Sequence, residues 1–232
     1  MCGHGTLALM TGLIERGYLD IPCGESEEVY LRTPASSAAV AVNHQHDSRV
    51  EVMLNLEPAE FEAASIDEEL FERLFGASMD DLDSSLPVEY TRSDFSHMVV
   101  PMSSLQDVQS LSPDFGRLAD HCEEADIDTV MFFCHETIEV ENTVHCREFA
   151  PRAGTPEVPA AGTTNRALAC YLARHALIQA EGDVPCVVRA EQGYEIQRPS
   201  LVTTRMILKR NLPTDIWVGG LATQVVRGQF SL

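Results

Sequence analysis

Lysine is almost absent from this chain: of 16 basic residues only Lys209 is a lysine, and 36 acidic residues oppose them, for a net charge of -20. A surface so poor in cations cannot grip a phosphate backbone or anionic headgroups. Nucleic acid and anionic membranes are therefore excluded as main partners. Long apolar runs are missing too, and none could cross a bilayer. The N-terminus has no basic segment ahead of its short apolar stretch, so no secretory signal is read and the expected location is the cytoplasm. The seven cysteines include Cys2, Cys23, Cys134 and Cys170, and no two stand as C-x-x-C. That spacing excludes the usual zinc and thioredoxin-like sites, and most of the thiols read as small buried hydrophobes. Eight histidines form no metal signature; the nearest, His44-Gln45-His46, reads as a polar loop. No metal site is expected.

What is present suits a globular enzyme of 232 residues, one large domain or two small ones. The acid excess reads as adaptation to a salty cell interior. Carboxylate repulsion is screened there over a few ångströms, and surface acids keep the protein soluble.

The most informative pattern is repeated. Gly3-His4-Gly5-Thr6 leads into the apolar run Leu7 to Ile14, closed by Gly17. Gly162-Thr163-Thr164-Asn165 leads into a second run, Ala167 to Ile178. A helix N-terminus offers unpaired N–H groups and the positive end of the dipole, and glycine lets a ligand approach closely. Two such ends facing one cleft would hold a small carboxylate. The expected central helices are Gly5 to Arg16 and Thr164 to Gln179, one in each of two similar α+β units. Between them, Val29 to Leu31, Ala38 to Val42, Val50 to Leu54, Val88 to Tyr90, Met98 to Pro101, Thr129 to Cys134 and Val144 to Ala150 read as strands. Ser65 to Glu68 reads as a capping box for a short helix ending at Gly76. Ser103 to Leu111 and Pro113 to Glu124 read as helices, the second capped by Ser112. Cys186 to Arg189, Leu201 to Leu208, Ile216 to Val218 and Ala222 to Val226 follow as strands, with Gly219-Gly220 as a hairpin turn. The expected domains are 1–97, 98–215, and a tail 216–232 returning to the first. A long stretch, Met98 to Ala161, precedes the second helix, and only two residues precede the first. The first unit is therefore expected to be incomplete at its N-terminus.

Several separated motifs resemble the PhzF-like family of phenazine biosynthesis, which has the diaminopimelate epimerase-like fold. Cys2 to Ala8 is similar to the family's C-G-H-A-T-L-A, and Arg147 to Gly154 to its R-x-F-A-P-x-x-G. Pro156 to Thr163 stands where the family has E-D-P-A-T-G-S, and Glu191 to Ser200 resembles its E-Q-G-x-E-M-G-R-P-S. The resemblance implies two barrel-like domains, each around a central helix, with the site between them and a homodimer possible. It also implies a cofactor-free isomerisation in which a carboxylate moves a proton between carbons. The founding member's substrate is a dihydro-hydroxyanthranilate.

On this resemblance His4 is the catalytic candidate, as proton shuttle or donor. Gly3, Gly5, Thr6, Gly162, Thr163 and Thr164 are the substrate-binding candidates. Two departures stand out. The family's N-L-S-E-T-like segment with its catalytic glutamate has no counterpart here, and Val158 occupies the position of the family's aspartate. Glu157 is a further acid/base candidate. Cys2 is another, because related proline racemases carry M-C-G-H-G with that cysteine as acid/base and a helix N-terminus lowers a thiol's pKa. Three readings stay open: an isomerase, a family member that binds an anion without turning it over, and a racemase or epimerase using Cys2.

Overall fold

The first apolar run folds as α1 (Gly3–Glu15) and the second glycine-led run as α5 (Gly162–Arg174). The computed structural model describes residues 3–32, 37–92, 95–179, 184–210, 212–224, 226 and 228. The chain divides into two compact units, Met1–Leu56 with Trp217–Leu232, and Glu57–Ile216.

In the first unit β1 (Ser26–Arg32), β2 (Ser37–His44) and β3 (Val50–Leu56) form an antiparallel meander. The register sets Val42 against Val52 and Val40 against Leu54. Met10 of α1 packs with Val40, Val42, Val50, Val52 and Leu54, joined by Leu7, Leu13 and Ile14. These positions recur every three to four residues, so one stripe of the helix is covered. The other stripe is open to solvent, with Leu9 44% exposed.

The last strand of this unit corrects the expected hairpin. β12 (Leu212–Ala222) runs straight through Gly219-Gly220 beside β3. A Cβ on Gly219 would lie 1.8 Å from the Val52 carbonyl oxygen. The glycine is needed for close backbone approach inside a strand, not for a turn.

In the second unit β12 continues into the order β12-β11-β10-β8-β7-β6-β5-β4, with β9 on β8. The strands are β4 (Glu60–Ala63), β5 (Glu89–Arg92), β6 (His97–Pro101), β7 (Thr129–Cys134), β8 (Val144–Ala150), β9 (Thr155–Val158), β10 (Cys186–Gln192) and β11 (Ser200–Lys209). β6 with β7 and β8 with β10 pair in parallel, while β4–β5, β5–β6, β7–β8, β8–β9 and β10–β11 are antiparallel. The sheet curls around α5, which touches β6, β7 and β11. Residues Thr164 to Ala173 of α5 are all buried. Ala167, Ala169, Cys170 and Ala173 keep the helix thin enough for strands to approach on several sides. Tyr171 fills one gap, its ring 5.5 Å from that of Phe133.

The opposite face of β6–β8 is covered by α2 (Glu68–Phe75), α3 (Leu105–Ser110) and α4 (Phe115–Glu124). Phe71, Phe75, Leu118, Phe132 and Phe149 form the centre of that layer. The strands β6, β7 and β8 are consequently buried along their whole length.

Two expected caps move. Asp67, not Ser65, caps α2 by accepting from the Leu70 amide at 2.8 Å, and Gly76 ends the helix in the left-handed region at φ 64°. Asp114, not Ser112, caps α4, accepting from Arg117 N–H. The segment before it is already committed: the Ser112 and Asp114 amides donate to Phe75 and Leu74 carbonyls at the end of α2.

Replacing Gly219 by alanine should cost about 1–3 kcal/mol, since the added methyl must push two backbones apart. Denaturant titration of the purified variant reads this. An unchanged midpoint would show that the strand can absorb the methyl.

Candidate functional site

The first turn of α5 starts from Ala161, extended at φ -147°, ψ 119°, whose side chain supplies no cap. The Asn165 amide donates to the Ala161 carbonyl at 3.1 Å and opens the helical ladder. The N–H groups of Gly162, Thr163 and Thr164 therefore have no intrahelical acceptor. No acidic residue stands in that turn to offset the dipole. Gly162 and Thr163 are partly exposed, and Thr164 is buried.

Beneath this turn lies a buried polar network that motif reading did not assemble. Thr164 Oγ1 is 2.6 Å from Glu148 Oε1, and Gln192 Nε2 is 3.3 Å from Glu148 Oε2. The same Gln192 amide donates to the Val158 carbonyl at 2.6 Å, and its Oε1 accepts from Asn165 Nδ2 at 3.0 Å. His97 Nδ1 is 2.8 Å from Thr129 Oγ1 and 3.3 Å from Thr164 Oγ1. Burial pushes the Glu148 carboxyl up to about 7, against the pull of its hydrogen bonds from Thr164, Gln192 and Thr129. Burial, with the Arg166 charge, pushes His97 down to about 3, so that imidazole is neutral. Asn165 Oδ1 and His97 Nε2 are buried without a hydrogen-bond partner.

The other face of β8 carries its own charges, as the alternation of a strand requires. His145 is enclosed between two carboxylates, Nδ1 2.8 Å from Glu191 and Nε2 2.9 Å from Glu195. Glu191 also accepts from the Ile138 and Glu139 amides and from Asn142 Nδ2. Arg147 takes Glu157 in a two-pronged ion pair at 2.9 and 2.8 Å, and donates to the Val108, Gln109 and Leu111 carbonyls at the end of α3. The Glu157 side chain is 6% exposed. It is committed to Arg147, an engagement that fixes β9 and its loop. Gly193, at φ 83°, lets the E-Q-G turn press on Pro159: a Cβ there would meet Pro159 atoms at 3.0 Å. Glu195 and Gly193 of that motif thus act on the scaffold.

On α1, His4 and Gly5 are exposed on the first turn, Gly3 is partly exposed and Thr6 is buried. Cys2 lies outside the described residues, and so does its candidacy as an acid/base. Among the described residues no group of three or more His, Cys, Asp or Glu is placed to hold a metal, and no helix is long and apolar enough to cross a membrane. A groove of about 350 Å³ between α2 and α4, lined by Arg73, Arg117 and His121 among others, shares no residue with the network under α5.

The family model for phenazine biosynthesis-like protein (PhzC-PhzF) matches residues 1–228. An uncharacterized isomerase, YfhB of Bacillus subtilis, is 25% identical over 208 residues, 89% of this chain and 67% of that protein. The trans-2,3-dihydro-3-hydroxyanthranilate isomerase of Pseudomonas fluorescens is 26% identical, over 90% of this chain and 69% of that one. For the uncharacterized isomerase YddE of Escherichia coli, 24% identical, the match covers 66% of this chain and 50% of the relative's length. Among solved structures, a Bacillus anthracis PhzF-family protein superposes with TM-score 0.80 at 24% identity, covering 95% of this chain and 72% of that one. A hydroxyproline epimerase from Agrobacterium vitis reaches TM-score 0.55 at 13% identity. The fold is α+β, of the diaminopimelate epimerase-like type, as expected.

The His145 triad gives stability a definite pH profile. Burial opposes the His145 charge, but the bonds to Glu195 and Glu191 outweigh it and hold the imidazole above its ordinary 6.5. Burial likewise opposes the carboxylates, and hydrogen bonds hold both below 4.5. A raised histidine contributes fully below its unfolded value and loses that contribution as pH rises through the folded one. The lowered carboxylates contribute above 4.5 and lose it as pH falls. Stability from the triad should therefore peak between about 4.5 and 6.5 and decline on the alkaline side. Denaturation midpoints across pH at fixed salt should show this decline in the parent and lose it in His145→Gln. A parallel decline in both would remove the triad as its source.

Proposed function

Because this chain belongs to the phenazine biosynthesis-like (PhzC-PhzF) family, we propose that it is an isomerase acting on a small carboxylate. It moves a proton with its own side chains, without metal or organic cofactor. The observation that carries this reading is the first turn of α5: three amides without intrahelical acceptors, no acid among them, set over a hydrogen-bonded base of buried side chains. Gly162, Thr163 and Thr164 receive the ligand's carboxylate, and Gly3, Gly5 and Thr6 play the same part on α1. His4, exposed on the first turn of its helix, is the acid/base. A relative's name supplies the first compound to try, trans-2,3-dihydro-3-hydroxyanthranilate. We further propose a cytoplasmic, salt-adapted protein, homodimeric like its family, with no nucleic-acid or membrane partner. For the racemase alternative, Cys2 remains the residue to test.

A second reading, an anion-binding protein with little turnover, is favoured by one position. Val158 stands where the family has an ionisable aspartate, and a valine cannot move a proton. Its carbonyl is still held by Gln192, so the loop keeps its place without the acid.

Hydrogen exchange separates the two. The purified chain is incubated with trans-2,3-dihydro-3-hydroxyanthranilate and with a panel of small carboxylates in deuterated water, and carbon-bound deuterium is followed by NMR. The isomerase reading expects exchange that falls by ~10²-fold or more in His4→Ala and rises in Val158→Asp. Binding without exchange in any of these proteins would favour the anion-binding reading. Neither binding nor exchange would sink both.

A further inference from the structure

Glu148 is an odd residue for its place. It sits on a strand buried along its whole length and is itself 1% exposed. It faces α5, while its neighbours Arg147 and Phe149 face the helical layer. Each of its oxygens has a partner, and two of its three partners, Thr164 and Gln192, lead to the same short segment, the third being Thr129 on β7. Through Thr164 it reaches the first turn of α5. Through Gln192 it reaches the Val158 carbonyl and Asn165, whose Nδ2 also donates to Ala161 at 2.9 Å. The whole run from Val158 to Asn165 is thus tied to one carboxyl.

We propose that Glu148 is a positioning residue whose proton sets both the hydrogen-bond direction in the first turn of α5 and the charge beneath its anion-binding amides. This rests on the reading of that turn given above. The proton balance is simple. When Glu148 is ionised, the Thr164 hydroxyl donates to Oε1, and His97 Nδ1–H donates to Thr129 or Thr164. When Glu148 gains a proton on Oε1, it donates to Thr164. The Thr164 hydroxyl then turns to His97 Nδ1, which becomes an acceptor: the Nδ1 proton leaves to solvent and another is taken up from solvent at Nε2, so the imidazole stays neutral and the network gains one proton in all. No heavy atom has to move. The ionised form also places a negative charge under the helix N-terminus, where it opposes a bound carboxylate.

The titratable and charged groups around Glu148 are His97 on β6, Cys146 on its own strand, Glu191 on β10, Glu195 in the following turn and Arg166 on α5; β7 and β9 present Thr129 and Val158. His97 is neutral and the Cys146 thiol is pushed well above its ordinary range by burial. Glu191 and Glu195 are engaged with His145, and Arg166 Nη1 donates to the Glu57 carbonyl. Glu148 is the group of this set that burial brings near neutrality, at about 7.

Two measurements on the full chain test this. Imidazole ¹⁵N shifts of His97 should move between tautomers across pH 6 to 8 in the parent and stay fixed in Glu148→Gln and in Thr164→Val. Amide shifts of Gly162, Thr163 and Thr164 during tartrate titration should give an affinity that falls about tenfold over the same range. In Glu148→Gln that affinity should be independent of pH. Flat His97 shifts in the parent would overturn the proposal whatever tartrate does, and so would a pH-dependent affinity retained in Glu148→Gln. A moving His97 tautomer without tartrate at the α5 amides would uphold the Glu148 link and count against the anion-binding role of that turn.

Discussion

Everything in the larger unit follows from burying an ionisable strand on both faces. β8 is covered along its whole length and yet contains His145, Arg147 and Glu148. An unpaired charge there would cost several kcal/mol, so each must be met by specific partners. Alternation decides which: Arg147 looks toward α3 and Glu148 toward α5. His145 draws in Glu191, which fastens the 138–142 loop. Arg147 draws in Glu157, which fastens β9. Glu148 draws in Thr164 and Gln192, which fasten the start of α5. The loop, the short strand and the helix start are thus positioned by the needs of three neighbouring side chains.

The fold was largely legible because burial leaves a mark on composition. Thr129–Cys134 and Val144–Ala150 lie where their β-forming runs end, and both central helices fall on the glycine-led apolar stretches. Misreadings occurred where two local signals compete. Gly219-Gly220 carries a turn signature, yet the Val52 carbonyl needs that space in a continuing strand. Ser112 carries a capping signature, yet its amide is held by the end of α2, and Asp114 takes the cap. In each case a contact distant in sequence overrides the local preference, which a window of neighbours does not contain.

The candidate site was legible in a different proportion. The helix starts were visible as Gly3 to Thr6 and Gly162 to Thr164, because glycine and threonine cluster there in sequence. The network of His97, Glu148, Thr164 and Gln192 was not, because its members come from three strands and a helix. One signal pointed to it: a glutamate and an arginine side by side inside a run otherwise reading as a buried strand. Such a pair is affordable only if partners wait on both faces, and that requirement predicts a polar cluster beneath whichever element covers each face.

Val158 shows why fold and chemistry separate so readily here. The loop at that position is held through its carbonyl by Gln192, and its neighbour Glu157 is held by Arg147. Neither tie uses the side chain at 158. The side chain at 158 can therefore be changed without loosening the loop. The same reasoning runs in reverse for Glu148. Its side chain is the tie, so changing it must alter the start of α5 even though it lies under the turn and out of a ligand's reach. A change at 158 leaves the scaffold intact, whereas a change at 148 reaches the start of α5 through the scaffold itself.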